Sequence, residues 1–286
     1  MGVLSKTLGP LLALLVLAAG CGGAPGDDDG DAIRRIVSLA PSITETVFEL
    51  GLGDRVVGVD DYSTWPPETA ALPSLGGLFD PNLEAIAALE PDLAILLPSQ
   101  RDLGERLGRL GIEVLEVPSD TLQDVERAAT AIAERCGVAA AGRDLVERLR
   151  RDLAPAPLDD PPATALVVGR QPGQLATLLV AAPGTYFDEL LARLGAVNVF
   201  ADAGQPYPQV GLESILGRRP RALVELQGES MSAAQRQRLR GEWLRAPGLE
   251  LAEDCVGVID GAEVLTPGPR LAELYRRLRE ALEACS

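Results

Sequence analysis

An α/β fold is what this sequence predicts, built as two α/β lobes joined by a single long backbone helix. Three observations carry it. From residue 33 onward, short β-branched or leucine-rich runs alternate with longer amphipathic segments, the pattern of strands interleaved with helices. A motif in the first half recurs in the second. Between the halves, Ala139 to Leu153 (AAAGRDLVERLRRDL) is rich in good helix formers, and Pro155, Pro157, Pro161 and Pro162 then break the chain. The predicted organisation is an N-terminal lobe over 33–137, a connecting helix over 138–157 and a C-terminal lobe over 158–286. A connecting helix of about 18 residues would span roughly 27 Å.

Ile36-Val37-Ser38-Leu39 is the first predicted strand. Pro41 and Ser42 open a helix, with Ser42 and Glu45 at capping-box spacing and Val47, Phe48 and Leu50 as its apolar positions. Gly51 and Gly53 stop it before the strand Val56 to Val59. Further strands are predicted at 93–97, 114–117, 165–168, 178–180, 222–226 and 256–259, and further helices at 100–110, 121–135, 185–194, 232–244 and 269–284.

The repeat sits inside this order. Leu83-Glu84-Ala85-Ile86 runs to Pro91 and a strand, and Leu212-Glu213-Ser214-Ile215 runs to Pro220 and a strand. In both copies the glutamate precedes the proline by seven residues, in the first turn of a short helix. An acid there gains about 0.3–1 kcal/mol from the helix dipole. That effect explains either glutamate alone; the matched pair points to two equivalent carboxylates, one presented by each lobe.

Composition removes much chemistry. The 286 residues hold 42 Asp+Glu against 26 Lys+Arg, a formal charge of -16, no histidine, and Lys6 as the only lysine. Triads with a histidine base, histidine-ligated zinc and a P-loop lysine are therefore excluded, as is a Schiff-base lysine once the leader is removed. The acidic balance also argues against nucleic acid, which needs a cationic face. The sequence predicts no enzyme and no resident cofactor or metal.

Residues 1–20 have the form of a secretory signal: Lys6 is the positive charge, and Leu11 to Ala19 is an apolar run too short to cross a membrane. Leu17-Ala18-Ala19-Gly20-Cys21 resembles the lipobox of bacterial lipoproteins, which implies lipidation at Cys21. Residues 21–32, with Asp27, Asp28, Asp29 and Asp31 among glycines, form a solvated tether. The expected location is the periplasmic or cell-surface side, anchored to the membrane. Export permits disulfides. Cys136, Cys255 and Cys285 then allow at most one bridge, whose pairing the sequence leaves open.

Aromatics mark the ligand side. Only Tyr62, Trp65, Tyr186, Tyr207, Trp243 and Tyr275 are Tyr or Trp, and half of these lie in proline-marked loops, Tyr62-Ser63-Thr64-Trp65-Pro66-Pro67 and Pro206-Tyr207-Pro208. Such rigid loop aromatics suit flat contact with a large ligand.

These residues resemble a known family. Arg35 to Glu45 (RIVSLAPSITE), Val57-Gly58-Val59-Asp60-Asp61-Tyr62 with Pro66-Pro67, Pro81 to Ile86 with Pro91-Asp92-Leu93, Tyr207-Pro208-Gln209-Val210 and Gly268-Pro269-Arg270 are similar to the cobalamin/ferric-siderophore type of substrate-binding protein for ABC importers. The resemblance spans 33–286 and leans toward the vitamin B12 binders through Tyr62 and Tyr207. It implies two lobes with the ligand in the cleft and little hinge closure. It also implies Tyr62, Tyr207, Trp65 and Arg270 as ligand-binding residues, and Glu84 and Glu213 as docking carboxylates for arginines of the permease. The implied partners are an ABC permease with its ATPase and a corrinoid or iron chelate, with the protein itself a monomer. Leu78 and Leu97 stand where B12 binders often carry further aromatics. A ferric-siderophore or haem receptor is the alternative; its anionic ligand calls for convergent arginines, for which Arg101, Arg170 and Arg270 are the candidates. An extracytoplasmic hydrolase would need Glu84 and Glu213 in one cleft.

Overall fold

A computed structural model describes residues 1–2, 32–171 and 173–285. Residues 3–31, which hold the lysine of the expected leader, Cys21 and the acidic tether, lie outside the described residues. Among the described residues no helix is long and apolar enough to cross a membrane. The chain from Ile33 onward forms one compact unit.

The first apolar runs become a parallel sheet. β1 (Ile36–Ser38), β2 (Val56–Val59), β3 (Leu93–Leu96) and β4 (Glu113–Glu116) lie in the order β2-β1-β3-β4. Parallel strands are covered on both faces by their crossover helices, so β3 is apolar and buried at every residue. The crossovers carry α1 (Pro41–Glu49), α2 (Leu83–Ala88) and α3 (Arg101–Arg109). Pro41 opens α1, where its missing N–H is no loss. The capping box expected from Ser42 and Glu45 does not form: the N-cap is Ala40, and Glu45 is buried and bonded to Arg270.

The second sheet is mixed. β5 (Ala163–Arg170), β6 (Leu178–Val180), β7 (Val197–Asn198), β8 (Gln209–Val210), β9 (Ala222–Gln227) and β10 (Val256–Asp260) follow the order β10-β9-β5-β6-β8, with β7 paired to the start of β5. β10, β9, β5 and β7 are parallel; β6 runs antiparallel to both β5 and β8. Around them pack α6 (Tyr186–Arg193), α7 (Leu212–Arg218), α8 (Ala233–Leu244) and α9 (Leu271–Glu283). The two-residue strands β7 and β8 carry too little pattern to be visible in the sequence.

The internal repeat is structural. α2 and α7 each present the repeat glutamate in the first turn, exposed to solvent. Each then ends through a non-glycine residue in the left-handed region, Glu90 at φ 44° and Arg219 at φ 47°, directly before Pro91 and Pro220. A proline disfavours the right-handed helical region for the residue before it, so both copies leave their helix through the same uncommon backbone state.

The segment expected to connect the lobes, 138–157, holds one helix over part of its length. α4 (Leu122–Arg135) and α5 (Ala139–Asp152) form a helix pair between the two sheets, turning at Gly137. α5 has 14 residues, about 21 Å at 1.5 Å per residue. Gly142, a weak residue for an isolated helix, is there for packing: a Cβ on it would lie 2.5 Å from the Cβ of Ala133. Beyond α5 the proline-rich segment is held by backbone bonds from Ala156 to Arg193 and from Leu158 to Leu194, and by the Tyr275 hydroxyl of α9. One apolar cluster runs from Ile36 and Val47 through Ile132 and Leu149 to Leu166 and Leu278, so the two sheets and the helix pair share a core.

The cysteine pairing left open by the sequence is resolved. Cys255, just before β10, bonds to Cys285, just after α9, while Cys136 is buried and free.

Candidate functional site

Two adjoining chambers open between the halves. The first has a volume of about 400 Å³, with Leu78 and Leu97 on the N-terminal side and Val168, Tyr186, Phe187 and Tyr207 on the C-terminal side. The second, about 420 Å³, is lined by Glu45, Asp61, Tyr62 and Trp65 from the N-terminal half and by Glu229 and Arg270 from the other. Pro41, Leu265 and Thr266 line both, so the chambers adjoin. Of the four residues expected to bind ligand, Tyr207 lines the first chamber and Tyr62, Trp65 and Arg270 line the second.

A relay of hydroxyls positions Tyr62. Ser38 at the end of β1 and Thr44 on α1 share a hydrogen bond of 2.7 Å, and Thr44 shares another of 2.7 Å with Ser63. Ser63 donates to the Asp60 carboxylate, whose other oxygen accepts the Tyr62 backbone N–H at 3.0 Å. Burial pushes the Asp60 carboxyl above the usual range, against the lowering effect of Ser63 and the Tyr62 N–H. The loop is thus tied to the sheet from below, while the Tyr62 ring stays 62% exposed.

Arg270 is anchored by the opposite half. Its Nε donates to Glu45 Oε2 at 3.0 Å and its Nη2 to Glu45 Oε1, and Nη1 reaches Glu263 at 3.5 Å. The indole of Trp65 lies over the guanidinium, 4.8 Å from ring centroid to Cζ. Glu45 and Arg270 are 225 residues apart in sequence. Desolvation pushes the Glu45 carboxyl up, and the Arg270 hydrogen bond and charge oppose that only in part. Arg270 is thus already in a structural ion pair.

Tyr207 is half-buried against an aromatic group the sequence did not single out. Tyr186 and Phe187 open α6 with ring centroids 3.9 Å apart, and Phe187 meets Tyr207 edge-on at 6.5 Å. Desolvation, then the nearby Asp120 charge, pushes the Tyr207 phenol up to about 12. The Tyr186 phenol is also raised by burial. Both stay protonated at neutral pH. The only hint of Tyr186 and Phe187 in the sequence was their place at the start of an amphipathic helix, which reads as core.

The remaining candidates lie elsewhere. Glu84 and Glu213 line neither chamber and make no ion pair among the described residues. They are therefore not a hydrolytic carboxylate pair within one cleft. The arginines do not converge: Arg101 pairs with Glu116 at 3.2 Å, and Arg170 is fully buried between Glu225 at 3.0 Å and Glu242 at 2.7 Å. No group of three or more metal-ligating side chains occurs among the described residues.

Comparison with known proteins fits this geometry. Residues 36–239 match the family described as periplasmic binding protein, and the chain belongs to that family. A vitamin B12-binding protein of Vibrio cholerae serotype O1 is 30% identical over 197 residues, covering 66% of this chain and 69% of the relative. The crystal structure of the periplasmic vitamin B12 binding protein BtuF of Vibrio cholerae superposes with a TM-score of 0.72 at 26% identity, covering 88% and 98% of the two chains. The periplasmic heme-binding protein RhuT of Roseiflexus sp. RS-1, in apo form, superposes with a TM-score of 0.74 at 25% identity, covering 89% and 100%. These relatives are binding proteins and not enzymes, and such proteins carry transported ligands instead of cofactors.

The Glu45 environment has a testable sign. A carboxyl whose folded pKa is raised contributes stability at low pH that is lost as the pH rises through its folded value. Relative to Glu45→Gln, the wild type gains stability as the pH falls from neutral through that raised value. Urea denaturation of both proteins across this range checks it, and a relative loss by the wild type contradicts the assignment.

Proposed function

We propose that this protein is an exported receptor that captures a corrinoid of the vitamin B12 class in the cleft and delivers it to an ABC permease. The observation that carries the reading is the cleft itself: aromatic and aliphatic walls from both halves, with its one arginine already held by Glu45 and Glu263. A corrinoid presents a large apolar macrocycle, a rim of neutral amides and a metal whose coordination is complete. The walls suit the first of these, and Ser119, Thr64 and Ser230 suit the second. The third requires no ligand from the protein, which agrees with a chain without histidine and with a Tyr207 phenol that holds its proton.

The likeness to a haem-binding structure favours a haem or ferric-siderophore receptor as the second reading. Its anionic groups find no free arginine in the chambers, and this ranks it second. Calorimetric titration with cyanocobalamin, haemin and a ferric siderophore separates the two. The expected result is one-to-one cyanocobalamin binding, weakened about tenfold, or about 1.4 kcal/mol, by Tyr62→Ala and by Tyr207→Ala. Binding of haemin alone would reverse the ranking.

Delivery rests on Glu84 and Glu213, two exposed carboxylates on matched helices. Here they act as docking groups for arginines of the permease, which works with its ATPase. Lipidation at Cys21 and the tether at 21–32 keep the monomeric receptor beside that membrane. Glu84→Ala combined with Glu213→Ala is expected to retain the ligand and to lose capture by the permease in a pull-down. Loss of ligand binding in that variant would count against the docking role.

A further inference from the structure

The charge inventory of the cleft goes beyond the identity of the macrocycle. Among the described residues only four charged side chains line the two chambers: Glu45, Asp61, Glu229 and Arg270. Glu45 and Arg270 neutralise each other through two hydrogen bonds, and Glu263 adds a second carboxylate to the same guanidinium. Two acids remain, one from each half. Asp61 follows the buried Asp60 in the loop that presents Tyr62, accepts one hydrogen bond from Ser74 and is exposed. Glu229 lies between β9 and α8 and is also exposed. Neither makes an ion pair among the described residues. The whole chain, at -16, adds a field of the same sign.

We infer that the cleft selects among corrinoids by net charge, favouring cationic over neutral forms and neutral over anionic forms, with Asp61 and Glu229 as the residues that read it. This rests on the corrinoid reading. A cobalt(III) corrin carries two positive charges beyond its ring, and the nucleotide phosphate and the axial group reduce them. A corrinoid with water in place of an anionic axial group is therefore a cation, whereas hydrolysis of a peripheral amide adds a negative charge. The second chamber places two carboxylates and no free cation beside that rim. Discrimination is then a difference between an attraction for one form and a repulsion of another. Because both acids are exposed, the effect is modest and screened by salt.

The test uses three corrinoids of nearly one shape. They are a cyanocobalamin monocarboxylate with one negative charge, neutral cyanocobalamin, and aquocobalamin with one positive charge. Each is titrated calorimetrically into the full protein at about 20 mM and about 500 mM salt. At low salt each step toward positive charge is expected to tighten binding about threefold to tenfold, or about 0.7–1.4 kcal/mol. At high salt the steps shrink. In the protein carrying Asp61→Asn and Glu229→Gln the low-salt ratios fall well below those of the wild type, to the small preference that the field of the whole chain supplies. The monocarboxylate and cyanocobalamin share a cyanide ligand, so their ratio decides even where aquocobalamin exchanges its water for a protein group. Equal affinities for the three, a preference for the anion, or ratios that the double substitution leaves unchanged would overturn the inference and leave the corrinoid reading standing. Failure of all three to bind, with haemin bound instead, would overturn both.

Discussion

The cleft depends on the pair formed by Glu45 and Arg270. Glu45 comes from α1, the first helix among the described residues, and Arg270 from the cap of α9, and their contact ties the two halves together beside the second chamber. Forming the pair costs desolvation of the Glu45 carboxylate. Burial raises the Glu45 carboxyl in spite of its partner, so desolvation outweighs the attraction, as is common for buried ion pairs. Its value is geometric: two parallel hydrogen bonds allow one orientation of guanidinium and carboxylate. The network continues from Glu263 to Arg277 at 3.0 Å and from Asp260 to Arg236 at 3.1 Å, so the constraint is carried into α9 and α8.

That constraint also decides what the cleft can bind. By consuming Arg270 it ties up the one cation among the described residues that line the chambers, and Trp65 covers the same guanidinium. What remains is an apolar first chamber with Tyr186, Phe187 and Tyr207, and a second chamber whose free charges are acids. Leu78 and Leu97 keep the N-terminal wall of the first chamber aliphatic. Aromatic contact is thereby divided, with Tyr62 and Trp65 beside one chamber and the α6 group beside the other.

Much of this was legible in the sequence because it is local. The strand at 93–96 is an unbroken apolar run, and the two repeat helices are set by proline spacing; Glu90 and Arg219 show that even the backbone of their exits is repeated. The four ligand candidates were found through loop aromatics and resemblance. What escaped depends on contacts distant in sequence. Ser42 and Glu45 have capping-box spacing, yet Glu45 serves a residue 225 positions away. Gly142 reads as a helix weakness until Ala133 is seen beside it. The helices at 121–135 and 138–157 were legible, but nothing local says that α4 and α5 pack against each other. Tyr186 and Phe187 look like core because a core helix and a pocket floor have the same pattern.

The most direct test of the account is the crystal structure of the protein with cyanocobalamin bound. The account predicts the corrin across the two adjoining chambers, in contact with Tyr62 and Tyr207 from opposite halves, with the Glu45–Arg270 pair unbroken and the amide rim toward Asp61 and Glu229. A ligand seated outside the two chambers, or one that draws Arg270 away from Glu45, would contradict it.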